Sequence, residues 1–293
     1  MAEDTMLSFE SSLFYFRIGV FSCFIWYLID QDKNILAYFY YALILCFLAL
    51  VIDGYIKHFT GKNLLGFKII GIRVSSFFRD ELIMGSYLSR LFPLLFALFV
   101  VRKKKKFKIY FIGILLILVE ILIFMSGERV SFYLLILSTL FIIILIKEYQ
   151  KFRVATFIMA MVCITVLSFN SPKLSDRIFF SPFESMNFFK DSRDSKEFII
   201  FTPAHDSLIR TAYNMFKDKP IFGHGPKMFR IICKDEKYRV GISPCMTHPH
   251  NFYIQLLAET GIVGFLFLFS ALIYIFYTVL RQFKSIIFKQ KNP

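Results

Sequence analysis

Helix-length apolar runs recur along this chain with short polar loops between them. A helix that is apolar all round needs either a very large protein core or a bilayer to cover it. Crossing a hydrocarbon layer of about 30 Å takes about 20 such residues. Seven stretches meet or approach that length: Ser12–Ile29, Ile35–Ile52, Tyr87–Val101, Phe107–Phe124, Val130–Ile146, Val154–Phe169 and Phe252–Leu280. The third is short and carries Arg90 near its head, and the last is long enough to extend past the bilayer at one end. Hydrophobic residues make up 57% of the 293, well above the soluble range of about 45–50%, and Phe alone contributes 39. The expectation is an all-α polytopic membrane protein with about seven transmembrane helices.

The formal charge of +14 does not point to nucleic acid, because Lys and Arg sit in short loops and form no basic surface interleaved with aromatics. In a membrane protein the first reading of such loops is orientation. Arg102–Lys108, Lys147–Arg153 and the tail from Arg281 to Lys291 all fall on one side, which is therefore cytoplasmic. Two larger segments are left on the outer face. The expected organisation is two helices in 1–52, an outer loop in 53–86, four helices in 87–169, a large outer segment in 170–251, and a last helix with a basic tail in 252–293. Met1–Glu10 is acidic and polar, unlike a secretory leader.

The large outer segment holds 13 basic and nine acidic side chains from Asn170 to Asn251, a modest bias toward anionic partners. Its helical part is expected over Asp206–Lys217, where Leu208, Ile209, Ala212, Met215 and Phe216 recur at helical spacing. Cys233 and Cys245 would pair if the segment faces an oxidising compartment. Cys23, Cys46 and Cys163 lie in apolar runs and read as small hydrophobes.

Residues able to do chemistry gather at the ends of the apolar runs. Arg129 closes Ser126-Gly127-Glu128-Arg129 at the outer end of a span. It either serves a ligand or reaches the interface and pairs with Glu128. Arg210 lies on the polar side of the outer helix, where an Asp206 pair is the plainer alternative. His248-Pro249-His250-Asn251 stands at the start of the last helix and contains two of the five histidines. With Pro249 in the first turn, His250 falls at the positive end of a helix, which favours neutral imidazole, the form a general base needs. Two histidines without a third ligand nearby make a poor metal site, so no metal and no cofactor are expected. Asn251, Gln255 and Glu259 form a stripe that must face protein or a cavity. Gly261 and Gly264 suggest close packing. Gly223 and Gly225 in Gly223-His224-Gly225-Pro226 either shape a turn or touch a phosphate.

His250-Asn251, nine residues, then Gly261-Ile262-Val263-Gly264 is similar to the signature of the O-antigen ligase and polymerase family of bacterial membrane glycosyltransferases. The turn Lys219–Pro226, Ser126–Arg129 and the loop Gly71–Leu88 resemble further parts of that family. The resemblance covers about Asp53 to Leu280. It implies a GT-C-like fold whose large helical loop is periplasmic, in the bacterial inner membrane. It implies a metal-independent, inverting transferase whose donor is a glycan on undecaprenyl diphosphate and whose acceptor, in ligases, is lipid A–core. His250 would be the base, with Arg129 and Arg210 as catalytic partners on the diphosphate. Arg73, Arg79, Asn251, His248, Gly223 and Gly225 would be substrate-binding. Within the family, a polymerase joining repeat units and a transferase to protein hydroxyls are the alternatives. A transporter or flippase component is the alternative outside it. That reading calls for charged residues deep in several spans, and the apolar runs read as nearly clean.

Overall fold

The computed structural model describes residues 2–102, 107–185, 199 and 202–287, and all seven apolar runs are helices in it. In chain order these are α1 (Thr5–Gln31), α2 (Ile35–Thr60), α3 (Met84–Val101), α4 (Phe107–Met125), α5 (Arg129–Leu145) and α6 (Gln150–Asn170), with the last apolar run in α11 (Phe252–Ile287). Between α6 and α11 lie the short α7 (Pro172–Ser175), a π-helical turn (Asp176–Phe180), α8 (Ser181–Ser185), α9 (Pro203–Asp218) and α10 (Phe229–Ile232). Five helices (α1, α2, α3, α6 and α11) are long and apolar enough to cross a membrane, while α4 and α5 are shorter apolar helices. The chain is thus an all-α, multi-pass membrane protein. Most of the expected basic loop at Lys103–Lys106 and the end of the tail lie outside the described residues.

Two compact units make up the chain: a central one, Leu28–Pro182, and a terminal one, Met1–Tyr27 with Phe183–Pro293. In the central unit α4 packs against α2, α3, α5 and α6. Its core interleaves Phe47 of α2, Phe92 and Phe96 of α3, Leu116 and Leu122 of α4, and Phe132 and Leu135 of α5. Apolar side chains elsewhere on the helices stay bare, as a lipid-facing surface requires; Leu45, Ile114 and Ile144 are examples.

Three sequence expectations change here. First, α2 runs past Ile52 to Thr60, so the loop expected from Asp53 begins at Gly61. Asp53 and Lys57 are buried and tie that loop down. The Asp53 carboxylate accepts from the Leu64 N–H at 2.8 Å and the Ser76 hydroxyl at 2.7 Å, and Lys57 Nζ donates to Ser75 Oγ at 2.7 Å. Second, the apolar interior is not clean. Arg153, expected in a solvated basic loop, lies in the first turn of α6 and is buried. It pairs with buried Glu120 of α4, donates to Thr139 and Thr156 at 2.9 Å each, and lies over the Phe92 ring. A charge can be held there only because it is paired and hydrogen-bonded. Third, α11 is broken at Gly261 (φ 63°, ψ −165°).

That break is built into the terminal unit. The N–H groups of Ile262 and Val263 donate to the Pro220 and Ile221 carbonyls at 2.8 and 3.2 Å, which replaces the helical bonds lost at the kink. A Cβ on Gly261 would lie 2.2 Å from the Ile221 carbonyl oxygen. Gly261→Ala should therefore destabilise the protein by about 2 kcal/mol or more, combining the positive φ with a backbone clash. Thermal unfolding of the purified protein reads this, and an unchanged midpoint would contradict the packing described. Leu208, Ala212 and Met215 of α9, Phe229 of α10 and Ala258 of α11 form the core of this unit. Cys233 and Cys245 are joined by a disulfide.

Candidate functional site

In the terminal unit the residue before the last helix is set by its cap. Asn251 Oδ1 accepts the N–H groups of Tyr253 and Ile254 at 3.1 and 3.2 Å, which makes Asn251 the N-cap. His250 thus precedes the helix, in a left-handed conformation (φ 54°), instead of occupying its first turn with Pro249 at the head. The physical reason is that Asn at the cap satisfies two otherwise unpaired N–H groups, which a proline at the first position cannot do. Asn251 accordingly has a structural task of its own.

His250 is exposed and stands among imidazoles. Its ring centroid is 4.3 Å from that of His248 and 5.5 Å from that of His205, which approaches edge-on. His205 arises from the start of α9, where Thr202 caps the helix and its hydroxyl lies 2.6 Å from His205 Nδ1. His248 is held by Thr247 Oγ1 at 2.9 Å from its Nδ1. Partial desolvation first, and then the two neighbouring imidazoles, lower the His250 pKa below the ordinary histidine value. The direction of this shift favours the neutral imidazole, through this surrounding rather than through a helix dipole. Sequence reasoning missed His205, because nothing in the local pattern links it to a tetrapeptide so far along the chain. Its one visible mark was the scarcity of histidine. No group of three metal-ligating side chains suited to an ion occurs among the described residues.

Arg210, on the same α9, forms an ion pair from its Nε to Asp206 Oδ2 at 2.7 Å. The polar stripe points inward: Glu259 is buried, accepts from the Phe229 N–H at 3.2 Å and from Gln255 Nε2 at 3.3 Å. The Gly223–Gly225 turn is locked onto the same helix. The His224 and Gly225 N–H groups donate to the carbonyls of Ala258 and Glu259, and the Gly223 N–H to that of Lys219. Of the two readings of this turn, the bonding favours the one in which the glycines shape it, since the Gly225 amide is used on α11 and the Gly223 amide on Lys219. His224 donates its Nε2–H to the Met215 carbonyl and closes the end of α9.

In the central unit a cluster of arginines surrounds the corner between α4 and α5. Gly127 turns this corner with φ 65°. The Ser126 carbonyl accepts from Arg73 Nε at 2.8 Å, and Arg73 Nη2 reaches the Leu82 carbonyl at 3.3 Å. The Gly127 carbonyl accepts from Arg177 Nε at 3.0 Å. Arg129 begins α5, donates from Nη2 to Ser181 Oγ at 2.7 Å, and keeps its buried Nε without a partner. The expected alternative, an Arg129–Glu128 pair, is not formed. Glu128 instead receives the N–H groups of Gly85 and Ser86 at the head of α3, together with the Ser86 and Ser131 hydroxyls. Partial burial first, then the like charge of Arg177, pull the Arg73 pKa below the usual arginine value. Arg79 stays apart from this cluster, its guanidinium over the Phe67 ring at 4.5 Å. Arg177 was not foreseen, because it sits in a polar stretch with no motif around it.

The central unit thus gathers Arg73, Arg129 and Arg177 at one corner, where Glu128 and Asp176 offset part of their charge, and the terminal unit gathers three imidazoles at the head of an apolar helix. Residues 114–269 match the family model described as O-antigen ligase, and the chain belongs to the O-antigen ligase family. The matched region contains Arg129, Arg177, Arg210 and His250, while Arg73 and Arg79 lie before it. Neither the curated proteins nor the solved structures contain a match to the chain.

Proposed function

We propose that this protein is an O-antigen ligase, moving a glycan from undecaprenyl diphosphate to lipid A–core at the periplasmic face of the inner membrane. The observation that carries the reading is the family match spanning the imidazole-bearing helix head and the arginine corner. Chemically, an acceptor hydroxyl attacks the anomeric carbon from the face opposite the diphosphate. The C–O bond to phosphorus-bound oxygen breaks, the diphosphate leaves with the electron pair, and the hydroxyl proton passes to His250. Attack from the opposite face inverts the anomeric configuration. Guanidinium groups stabilise the departing charge through bidentate contacts, with permanent charge and no need of a metal. Arg129 and Arg210 are assigned this role, with Arg73 as a further contact to the diphosphate. The Cys233–Cys245 disulfide supports an oxidising compartment around the terminal unit.

The ligase reading is tested by lipopolysaccharide electrophoresis of a deletion strain. Rough core with accumulated lipid-linked polymer is expected. Core bearing a single repeat would instead mark a polymerase, and an unchanged ladder with unmodified glycoprotein would mark transfer to protein.

The pH dependence follows from the imidazole trio. A base with a lowered pKa is neutral, and active, down to a pH below the ordinary histidine value of about 6.5. The acidic limb of kcat/KM should therefore lie below that pH. Replacing His205 with glutamine removes a neighbour able to carry positive charge, so the limb should move up. A limb unmoved in His205→Gln would remove His205 from the environment of the base.

A further inference from the structure

The corner between α4 and α5 holds more positive charge than its packing needs. Two adjacent carbonyls, Ser126 and Gly127, each anchor the Nε–H of one arginine, and no carboxylate lies within ion-pair distance of Arg73, Arg129 or Arg177 among the described residues. The hydrogen bonds of Glu128 go to the head of α3, so it acts on Arg73 through space alone, as Asp176 does on Arg129. Arg177 makes no hydrogen bond besides that to Gly127 among the described residues, so its Nη groups are left for another partner. It also stands in a π-helical turn, a costly local geometry that often marks a functional position. Gly127 leaves room for this arrangement: a Cβ there would lie 3.1 Å from Arg73 Cγ and 3.3 Å from Arg73 Nε. Glu128 and Asp176 are near enough to act on Arg73 and Arg129 and offset part of the charge, but Arg73 and Arg129 still feel the like charge of Arg177, and three guanidiniums suit a group bearing more than one phosphate.

We propose that Arg177 is a further diphosphate-binding residue, a third guanidinium that makes this corner selective for a lipid diphosphate over a lipid monophosphate. The inference rests on the reading that Arg129 and Arg73 bind the diphosphate. It names a residue that reading does not require.

The test uses the full-length protein in nanodiscs of zwitterionic phosphatidylcholine, with undecaprenyl diphosphate and undecaprenyl monophosphate as probes and native mass spectrometry as the readout. The wild type is expected to bind the diphosphate more tightly. Arg177→Gln should weaken diphosphate binding by about 10–100-fold and monophosphate binding by less, as expected for loss of a hydrogen-bonded charge. Arg177→Lys, which keeps the charge and loses the fork, should fall between them, and it reads the same effect should Arg177→Gln fail to fold. Equal diphosphate affinity in wild type and both variants would overturn the role of Arg177 while leaving the parent reading intact. Failure of the wild type to bind either probe would overturn both. Loss of the difference on adding phosphatidylglycerol would assign the corner to ordinary headgroups and overturn the proposal.

Discussion

Replacing His250 with alanine is expected to lower glycan transfer by about 10²–10⁴-fold, the usual contribution of a positioned base, while donor-lipid binding stays unchanged. The separation of the two effects is the informative part. His250 lies before the helix, exposed, with Asn251 capping the helix independently of it, so truncating its ring removes no hydrogen bond that the helix start depends on. A folded, donor-binding and inactive protein is therefore the expected result, with transfer measured as the appearance of free lipid diphosphate. Full activity in His250→Ala would remove the imidazole from the chemistry. Loss of donor binding instead would make it a binding residue.

Arg129 carries the second large effect. Arg129→Ala is expected to lower kcat by about 10²–10³-fold, the scale seen when one preorganised stabiliser of developing charge is removed. Arg129→Lys should also be clearly impaired. A lysine keeps the charge, but it cannot donate to Ser181 and still present a second, coplanar N–H to a phosphate oxygen. The buried, unpartnered Nε is the specific reason to expect this, because it is a donor of the fork that an ammonium group does not reproduce. Wild-type kinetics in Arg129→Lys would mean that only charge matters at this corner. Glu128 is not a substitute explanation, since its carboxylate is bound at the head of α3.

Much of the architecture was legible in hydrophobic patterning. The apolar runs became helices, and α9 formed over the stretch where Leu208, Ala212 and Met215 recur at helical spacing. What the pattern could not show was pairing between distant residues. Asp53 and Lys57 look like the end of a span until Ser75, Ser76 and Leu64 supply their partners, and only then does α2 extend to Thr60. Arg153 looks like one more basic loop residue until Glu120, buried in an apolar helix, is seen to need it. The kink at Gly261 was signalled by glycine but not located, because the carbonyls that replace the missing helical bonds come from Pro220 and Ile221.

The candidate site divides in the same way. His250, Arg129 and Arg73 stood out through motif and position, and each falls in a distinctive environment. His205 and Arg177 did not stand out, because a residue whose meaning is a neighbour 45 or 50 positions away carries no local mark. The Gly223–Gly225 turn is a different case. A glycine-rich turn suggests either backbone geometry or a phosphate cradle, and only the structure shows that the His224 and Gly225 N–H groups close onto α11 and the Gly223 N–H onto Lys219.

Purified, reconstituted protein supplied with glycan-linked undecaprenyl diphosphate and lipid A–core offers the decisive measurement: quantified release of undecaprenyl diphosphate alongside the anomeric configuration of the product. One free lipid diphosphate per new glycosidic bond, with inverted configuration, is the predicted result. Movement of intact lipid-linked glycan across the membrane with no bond formed would instead mark a transporter, a reading that the buried Glu120–Arg153 pair keeps worth testing.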